Sequence, residues 1–144
     1  GHLPRIAFAA AGGISVGYPG VVLDMMGLND SITAHRCSQR SGPIGHACFD
    51  RERFFELLPD ALLPRGVAAG KLVDLARVEA QLNNPRGWDY TIFRGLFADP
   101  AFRSRYRLVR VTRRGVAASA YGYFSVPFLM QLSADPTFEL EVAP

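Results

Sequence analysis

The chain has 144 residues and a mass of 15.8 kDa, which is the size of one domain with an ordinary hydrophobic core. Hydrophobic residues make up 49% and charged residues 20%, so disorder is excluded for most of the chain. The formal net charge of +3 comes from scattered arginines and one lysine, Lys71, and this distribution argues against a nucleic-acid partner.

The beginning of the chain predicts a strand–helix–strand unit. Residues 3–10 are mostly apolar, which is typical of a buried strand, and residues 20–25 repeat this pattern. Residues 11–19 leave room between them for one or two helical turns. The glycines of residues 12–17 lack the spacing of a dinucleotide-binding loop, and no Lys-Ser/Thr pair follows them. We therefore interpret this segment as a tight turn and predict no cofactor.

Several helices are predicted from capping residues and from apolar residues at helical spacing. Asp30 or Ser31 caps the first of these helices, and Asp50 caps the second. Pro100 suits the first position of a helix, so Asp99 is expected to cap a further turn. The longer helical segments span residues 30–35, 50–58, 72–82 and 90–97.

The last part of the chain predicts a β-hairpin. Residues 106–112 and 117–126 alternate as strands do, and a short turn at residues 113–115 joins them. Residues 61–63 are a candidate third strand. The order of these elements predicts an α/β fold with a mixed, mostly parallel sheet, which is flanked by helices and ends in this hairpin.

One domain is expected over residues 3–134. We interpret residues 1–2 as an expression scar and expect residues 135–144 to form a loose C-terminal tail. Residues 6–23 and 115–134 are uncharged over the length of a membrane-spanning helix, but their glycines and prolines argue against that interpretation. No signal peptide is apparent, so export of the domain would depend on a segment upstream.

The densest basic segment lies between residues 103 and 114. Its arginines are Arg103, Arg105, Arg107, Arg110, Arg113 and Arg114. One interpretation is a solvated helix end followed by an edge strand, because edge strands often carry charge. The other is an anionic partner, either lipid headgroups or a phosphate-bearing ligand, because the guanidinium fork matches phosphate geometry.

Two His-x-Cys pairs are candidate metal ligands. His35 with Cys37 and His46 with Cys48 could together hold a tetrahedral zinc ion, which binds thiolate sulfur and imidazole nitrogen. The usual Cys-x-x-Cys spacing of zinc sites is absent, however. A Cys37–Cys48 disulfide in an oxidising compartment and two separate thiols are the alternatives.

A further group of polar residues follows the second predicted strand. Asp24 interrupts the apolar run, and Asn29 and Asp30 lie just beyond it, where α/β folds place ligand sites. A buried carboxylate needs partners, so Asp24 is expected to accept hydrogen bonds from the turn that follows it. A general acid/base pair of Asp24 with His46 is the alternative.

Three segments of the chain together resemble a known family. They are residues 10–18 (AAGGISVGY), residues 22–30 (VLDMMGLND) with the Ile-Thr-Ala of residues 32–34, and residues 42–46 (GPIGH). These segments resemble the C-terminal extramembrane domain of multi-spanning bacterial glycosyltransferases of the GT-C type, including the arabinofuranosyltransferase-like proteins of cell-envelope assembly. The resemblance covers residues 9–60, with looser similarity at residues 99–106 and 121–124.

The resemblance implies a membrane enzyme whose donor is a polyprenyl-phosphate sugar. The domain would face the periplasm or cell exterior from the bacterial inner membrane, beside the transmembrane portion of the same polypeptide. In that family the catalytic acid lies in a loop between transmembrane helices, so this chain alone is expected not to catalyse the transfer. Two positions depart from the family pattern: Cys48 replaces a commonly basic residue, and residues 15–17 replace a more aromatic turn.

On this interpretation, the domain helps to position a glycan acceptor or the lipid-linked donor. The expected ligand-binding residues are Tyr18, Asp24, Asn29, Asp30 and His46, with the Tyr18 ring offering a face for sugar stacking. Two alternatives are a structural or assembly domain of a membrane protein, and a free-standing metal-binding or enzymatic domain.

Overall fold

The computed structural model describes residues 3–9, 14–26, 31–36, 49–64 and 73–144. Its strands are β1 (Ile6–Phe8), β2 (Val22–Asp24), β3 (Ala61–Leu63), β4 (Tyr106–Arg113), β5 (Ser119–Ser125) and β6 (Phe138–Val142). Its helices are α1 (Ile14–Gly17), α2 (Ser31–Arg36), α3 (Arg51–Leu57), α4 (Leu75–Leu82), α5 (Trp88–Phe93), α6 (Pro100–Arg105) and α7 (Val126–Ser133), with a 3-10 turn at Leu96–Ala98. The strands form one mixed sheet in the order β2-β1-β3-β5-β4-β6, which confirms the predicted α/β fold.

Three short strands at one end of the sheet run parallel. β1 lies between β2 and β3, so that Ala7 is opposite Leu23 on one side and Leu62 on the other. A tight turn cannot join parallel strands, which is why the chain passes through α1 between β1 and β2. This arrangement is the predicted strand–helix–strand unit, and β3 is the predicted third strand.

The other half of the sheet is antiparallel. β4 and β5 form the predicted hairpin, and β5 also pairs with β3. Within the connecting turn, the Val116 N–H donates to the Arg113 carbonyl oxygen at 3.0 Å. Gly115 has a φ of 78° there, which a glycine adopts without a steric penalty.

Two expectations about the C-terminal half are wrong. Residues 135–144 are not a loose tail throughout, because β6 pairs with β4 along Val109–Arg113. The Phe-Glu-Leu-Glu-Val sequence of β6 alternates apolar and charged side chains, as a strand with one covered face does. β4 consequently has a neighbour on each side, so the arginine-rich segment does not form an edge strand.

Helix α7 was not predicted. The Ser125 Oγ accepts a long hydrogen bond of 3.4 Å from the Phe128 N–H at its start, and Pro127 occupies its first turn, where a missing N–H does no harm. The helix is apolar on most sides, so no helical periodicity distinguished it from the preceding strand.

Two predicted helix caps are confirmed. The Asp50 Oδ1 accepts from the Arg53 N–H at 2.9 Å at the start of α3, and the Asp99 Oδ1 accepts from the Ala101 N–H at 2.8 Å at the start of α6. Each cap satisfies a main-chain donor and stabilises its helix by about 1 kcal/mol. Arg51 also pairs with Asp99 at 2.6 Å, so the starts of α3 and α6 are linked.

The two uncharged runs that have the length of a membrane span form short elements instead. Residues 115–134 contain β5 and α7, and the described part of residues 6–23 contains β1, α1 and the start of β2. Within the described ranges, none of the helices is both long and apolar enough to cross a membrane.

The main core lies on one face of the sheet and is dominated by aromatic rings. These rings belong to Phe49, Phe54, Phe93, Phe97, Phe102, Tyr106 and Tyr123. Phe102 is fully buried among them, stacks on Tyr106 at a centroid distance of 4.8 Å and meets Tyr123 edge-on at 5.0 Å. Such ring pairs contribute roughly 0.5–1.5 kcal/mol each beyond the burial of their surface.

The opposite face of the sheet has a smaller apolar cluster beneath α7. Ala61, Val109 and Phe124 are buried there, and Phe128 of α7 packs against them. None of the eight residues of α7 is fully buried, and Met130 is 70% exposed. The described residues therefore cover this face only in part.

Replacing Phe102 by alanine is expected to lower the free energy of unfolding by roughly 3–5 kcal/mol, because it opens a cavity between Tyr106 and Tyr123. Urea unfolding measures the loss. Phe128→Ala is the matched control on the opposite face and should lose clearly less, because Phe128 is only half-buried. Equal losses in the two variants would contradict this placement of the main core.

Candidate functional site

Asp24 lies at the carboxyl end of β2, opposite Phe8 of β1, and is 5% exposed. Its Oδ1 accepts a hydrogen bond from the Met26 N–H at 2.9 Å. A bond from an aspartate side chain to the main chain two residues on is an Asx turn, which fixes the direction in which the chain leaves the strand. This geometry supports a structural role for Asp24, and ligand binding by Asp24 stays a prediction.

Tyr18 lies near the opposite, amino end of the parallel strands. Its hydroxyl donates to the Pro4 carbonyl oxygen at 2.6 Å, just before β1 begins. Burial, and then the negative charge of Asp60, raise the pKa of Tyr18 above its usual value. The ring also covers Gly20, where an added Cβ would lie 2.7 Å from the Tyr18 Cζ. The Tyr18 hydroxyl and the Asp24 carboxylate are therefore held at opposite ends of β1.

Of the remaining predicted site residues, the structure describes His35. Asn29, Asp30, Cys37, His46 and Cys48 lie outside the described residues, whereas His35 is exposed on α2. Among the residues that the structure describes, no three His, Cys, Asp or Glu side chains are grouped as metal ligands would be. The zinc site, the disulfide and the acid/base pair therefore stay predictions.

A groove of about 430 Å³ opens where β3 and β4 begin and β5 ends, and we call it the amino-end groove. Its apolar lining comes from Leu58, Tyr106, Val126 and Pro127. Its polar lining comes from Asp60, Ser104, Arg105 and Ser125. The volume is within the range of roughly 300–1,000 Å³ that small-molecule sites occupy. A mostly apolar groove with a few converging polar groups is the usual form of such a site.

Asp60 joins three strands at this groove. Its Oδ2 accepts from the Arg5 N–H at 2.7 Å, and its own N–H donates to the Arg5 carbonyl oxygen at 2.9 Å. The Asp60 carbonyl oxygen accepts from the Ser125 N–H at 2.9 Å. One residue thus connects the chain before β1, the start of β3 and the end of β5. The main chain therefore fixes the position of its carboxylate.

Tyr106 forms the inner wall of the amino-end groove. It is 3% exposed, and its hydroxyl donates to the Pro59 carbonyl oxygen at 2.8 Å. Burial, and then the negative charge of Asp60, raise the pKa of Tyr106 well above its usual value. The hydroxyl therefore stays protonated and serves to hold the wall in place.

Leu58 and Arg105 form the outer edge of the groove. Leu58 ends α3 in the left-handed conformation with a φ of 43°, which is uncommon for a non-glycine residue, and it is 42% exposed. The Arg105 guanidinium lies 5.9 Å from the centroid of the Phe55 ring. This cation–π contact places a positive charge beside an apolar edge.

The amino-end groove is not apparent from the sequence. Arg105 belongs to the arginine-rich segment for which a phosphate-bearing ligand is one interpretation. Asp60 carries no such signal, because its partners are distant in the chain: Arg5 lies just before β1, and Ser125 lies at the end of β5.

Comparisons with protein-family models, with curated proteins and with solved structures find no match for this chain. The family resemblance therefore stays a prediction from the sequence motifs, and the site is interpreted from its own geometry.

Replacing Asp24 by alanine is expected to lower the free energy of unfolding by roughly 1–3 kcal/mol, because it leaves the Met26 N–H without its acceptor. Asp24→Asn is the matched variant and should retain most of the stability, because an asparagine oxygen can form the same turn. Urea unfolding compares the two. An alanine variant as stable as the parent chain would show that the carboxylate does not hold the turn.

Stability is expected to fall above about pH 10, because folding raises the pKa of the buried Tyr106 and Tyr123 hydroxyls above the value of roughly 10 that they have in the unfolded chain. Below that pH both hydroxyls are protonated in the folded and in the unfolded chain, so their contribution to the free energy of unfolding is fully present. Above it the unfolded chain releases protons that the folded chain retains, which lowers the free energy of unfolding by about 1.4 kcal/mol per pH unit for each tyrosine.

Urea unfolding at a series of alkaline pH values tests this dependence. Tyr106→Phe should reduce the slope, because one of the two titrating hydroxyls is gone. A stability that stays level across the alkaline range would contradict the raised pKa of both groups.

Proposed function

We propose that this chain is an extramembrane domain of a bacterial membrane glycosyltransferase that uses a polyprenyl-phosphate sugar as its donor. The domain faces the periplasm and holds the donor or the acceptor for the transmembrane portion of the same polypeptide, which performs the transfer. The sequence motifs motivate this proposal, and the amino-end groove supports it.

The observation that carries the proposal is the presence of Asp60 and Arg105 on one mostly apolar groove. A polyprenyl-phosphate sugar combines a hydrocarbon chain, a phosphate and a ring of hydroxyls. Leu58, Val126 and Pro127 offer apolar contacts for the hydrocarbon. The Arg105 guanidinium can pair with the phosphate, and the Asp60 carboxylate can accept hydrogen bonds from sugar hydroxyls.

The polar groups of the groove are suited to ligand binding rather than to catalysis. The Tyr106 hydroxyl is bonded to a main-chain carbonyl and stays protonated, so it is poorly placed to exchange a proton with a substrate. The Asp60 carboxylate already accepts a main-chain hydrogen bond from Arg5. We therefore assign donor or acceptor positioning to this domain and the catalytic step to the transmembrane portion.

A second candidate function is a structural or assembly role. The half-buried side chains of α7 and the 70% exposed Met130 form an apolar surface that could pack against the transmembrane portion. In the full-length protein, Met130→Glu should then reduce assembly or transferase activity without lowering the stability of the domain. A variant with full activity would count against this role.

Farnesyl phosphate, a short prenyl phosphate, is a direct probe of the amino-end groove. NMR titration should give saturable shifts in the methyl groups of Leu58 and Val126. Arg105→Gln should weaken binding about tenfold, because it removes the charge that pairs with the phosphate. Arg113→Gln is the matched control, since Arg113 lies at the far end of β4 and does not line the groove.

Shifts that are absent at millimolar probe, or equal losses in the two arginine variants, would contradict binding in the groove. The reading frame upstream of residue 3 in the gene is an independent test of the membrane-enzyme proposal. We expect it to encode several membrane-spanning helices, and a start codon at that point would contradict the proposal.

A further inference from the structure

A second, smaller cavity lies where α4 and α6 meet the sheet, and we call it the Tyr123 cleft. Its volume is about 190 Å³, which admits a small solute rather than a long chain. The polar side chains that line it are those of Glu79 of α4, Arg103 of α6, Tyr106 and Arg107 of β4, and Tyr123 of β5. Ala143 closes one side, and its N–H donates to the Leu108 carbonyl oxygen at 2.9 Å.

The Tyr123 hydroxyl is buried without a hydrogen-bond partner among the described residues. Its ring stacks on Phe97 at 4.7 Å and meets Phe102 edge-on at 5.0 Å, and the residue is only 4% exposed. The hydroxyls of Tyr106 and Tyr121, by contrast, bond to main-chain atoms. A buried hydroxyl without a partner disfavours folding, so its presence on a cleft marks a place where a ligand atom can complete the bond.

The charges of the cleft favour a negatively charged ligand. Arg103 forms an ion pair with Glu79, and 57% of the Arg103 side chain is exposed, so the guanidinium is accessible. The Arg107 Nη1 donates to the carbonyl oxygens of Arg103 and Tyr106, which holds a second guanidinium at the cleft. Among the side chains that line the cleft, two guanidinium groups and one carboxylate are charged, so the side chains carry a net positive charge.

The Tyr123 hydroxyl adds a donor to this positive charge. Burial, and then the negative charge of Glu79, raise the pKa of Tyr123 well above its usual value, so the group stays protonated. A protonated hydroxyl beside guanidinium groups is a donor set suited to carboxylate or phosphate oxygens.

We propose that the Tyr123 cleft binds a small oxyanion, the carboxylate or phosphate group of a solute, through the Tyr123 hydroxyl and the Arg103 guanidinium. Glu79 holds Arg103 in position before the anion arrives, and the bound anion then shares the guanidinium with it. The site is independent of the proposed glycosyltransferase role. It shares only Tyr106 with the amino-end groove, and the Tyr106 hydroxyl is bonded elsewhere.

Sodium phosphate and sodium succinate are the probes, each titrated into the full chain at neutral pH with sodium chloride keeping the ionic strength constant. NMR should show saturable shifts of the Tyr123 ring and of the Arg103 Nε–H. Tighter binding of phosphate identifies a phosphate-bearing solute, and tighter binding of succinate identifies a carboxylate. Either result supports an oxyanion site.

The Tyr123→Phe variant distinguishes a role of the Tyr123 hydroxyl in oxyanion binding from a role in stabilising the fold. It should weaken oxyanion binding about tenfold. Its thermal stability in the absence of anion should be equal to or higher than that of the parent chain, because the substitution removes a buried hydroxyl without a partner. Tyr121→Phe is the matched control on the same strand. This variant loses the hydrogen bonds between the Tyr121 hydroxyl and the Val73 main chain, so its stability should fall. Its oxyanion affinity should stay unchanged.

A pair of arginine variants tests the charge. Arg103→Gln should weaken oxyanion binding, whereas Arg114→Gln should not, because Arg114 pairs with Glu139 and does not line the cleft. The absence of saturable shifts with both probes at tens of millimolar overturns the proposal. An unchanged oxyanion affinity in Tyr123→Phe also overturns the proposal. A loss of stability in that variant overturns it as well, because the hydroxyl would then have a partner within the protein.

Discussion

The packing of Phe102 between Tyr106 and Tyr123 is the contact on which the rest of this structure depends. Phe102 comes from α6, whereas the two tyrosines belong to the neighbouring strands β4 and β5, so the three rings attach the helix to the antiparallel half of the sheet. Tyr106 also lines the amino-end groove, and Tyr123 also lines the Tyr123 cleft. The same stack that fills the core therefore positions a wall of each cavity.

The two ends of the parallel strands have different chemistry. The carboxyl end, where α/β folds commonly bind ligands, holds Asp24, whose carboxylate is engaged in an Asx turn. The amino end holds Asp60, which connects three strands through main-chain hydrogen bonds and leaves a groove beside them. The groove at this end depends on the antiparallel strand β5, because β5 ends there and leads directly into Val126 and Pro127, which line the groove. The mixed character of the sheet thus creates a site that a purely parallel sheet would not have.

Local sequence signals predicted the elements that depend on local interactions. Asp50 and Asp99 identified helix starts because each cap forms within three residues, and the β4–β5 hairpin followed from strand alternation across a short turn. Helix α7 was not predicted because an apolar segment without periodicity is compatible with a strand and with a helix. The amino-end groove and the Tyr123 cleft could not be predicted, because they bring together elements that are far apart in the chain. Residues 135–144 are a different case: the position of this segment near the end of the chain favours a loose tail, although the sequence of β6 alternates apolar and charged residues as a strand does.

The edge strand β6 has a consequence for association between copies of this chain. Glu139 and Glu141 alternate along it and form ion pairs with Arg114 and Arg110 on the hairpin. A strand from another molecule that added to this edge would have to approach a row of charged side chains, which natural sheets use to prevent such pairing. The acidic residues of β6 therefore protect the protein against fibrous aggregation at the side of the sheet where its longest strands lie.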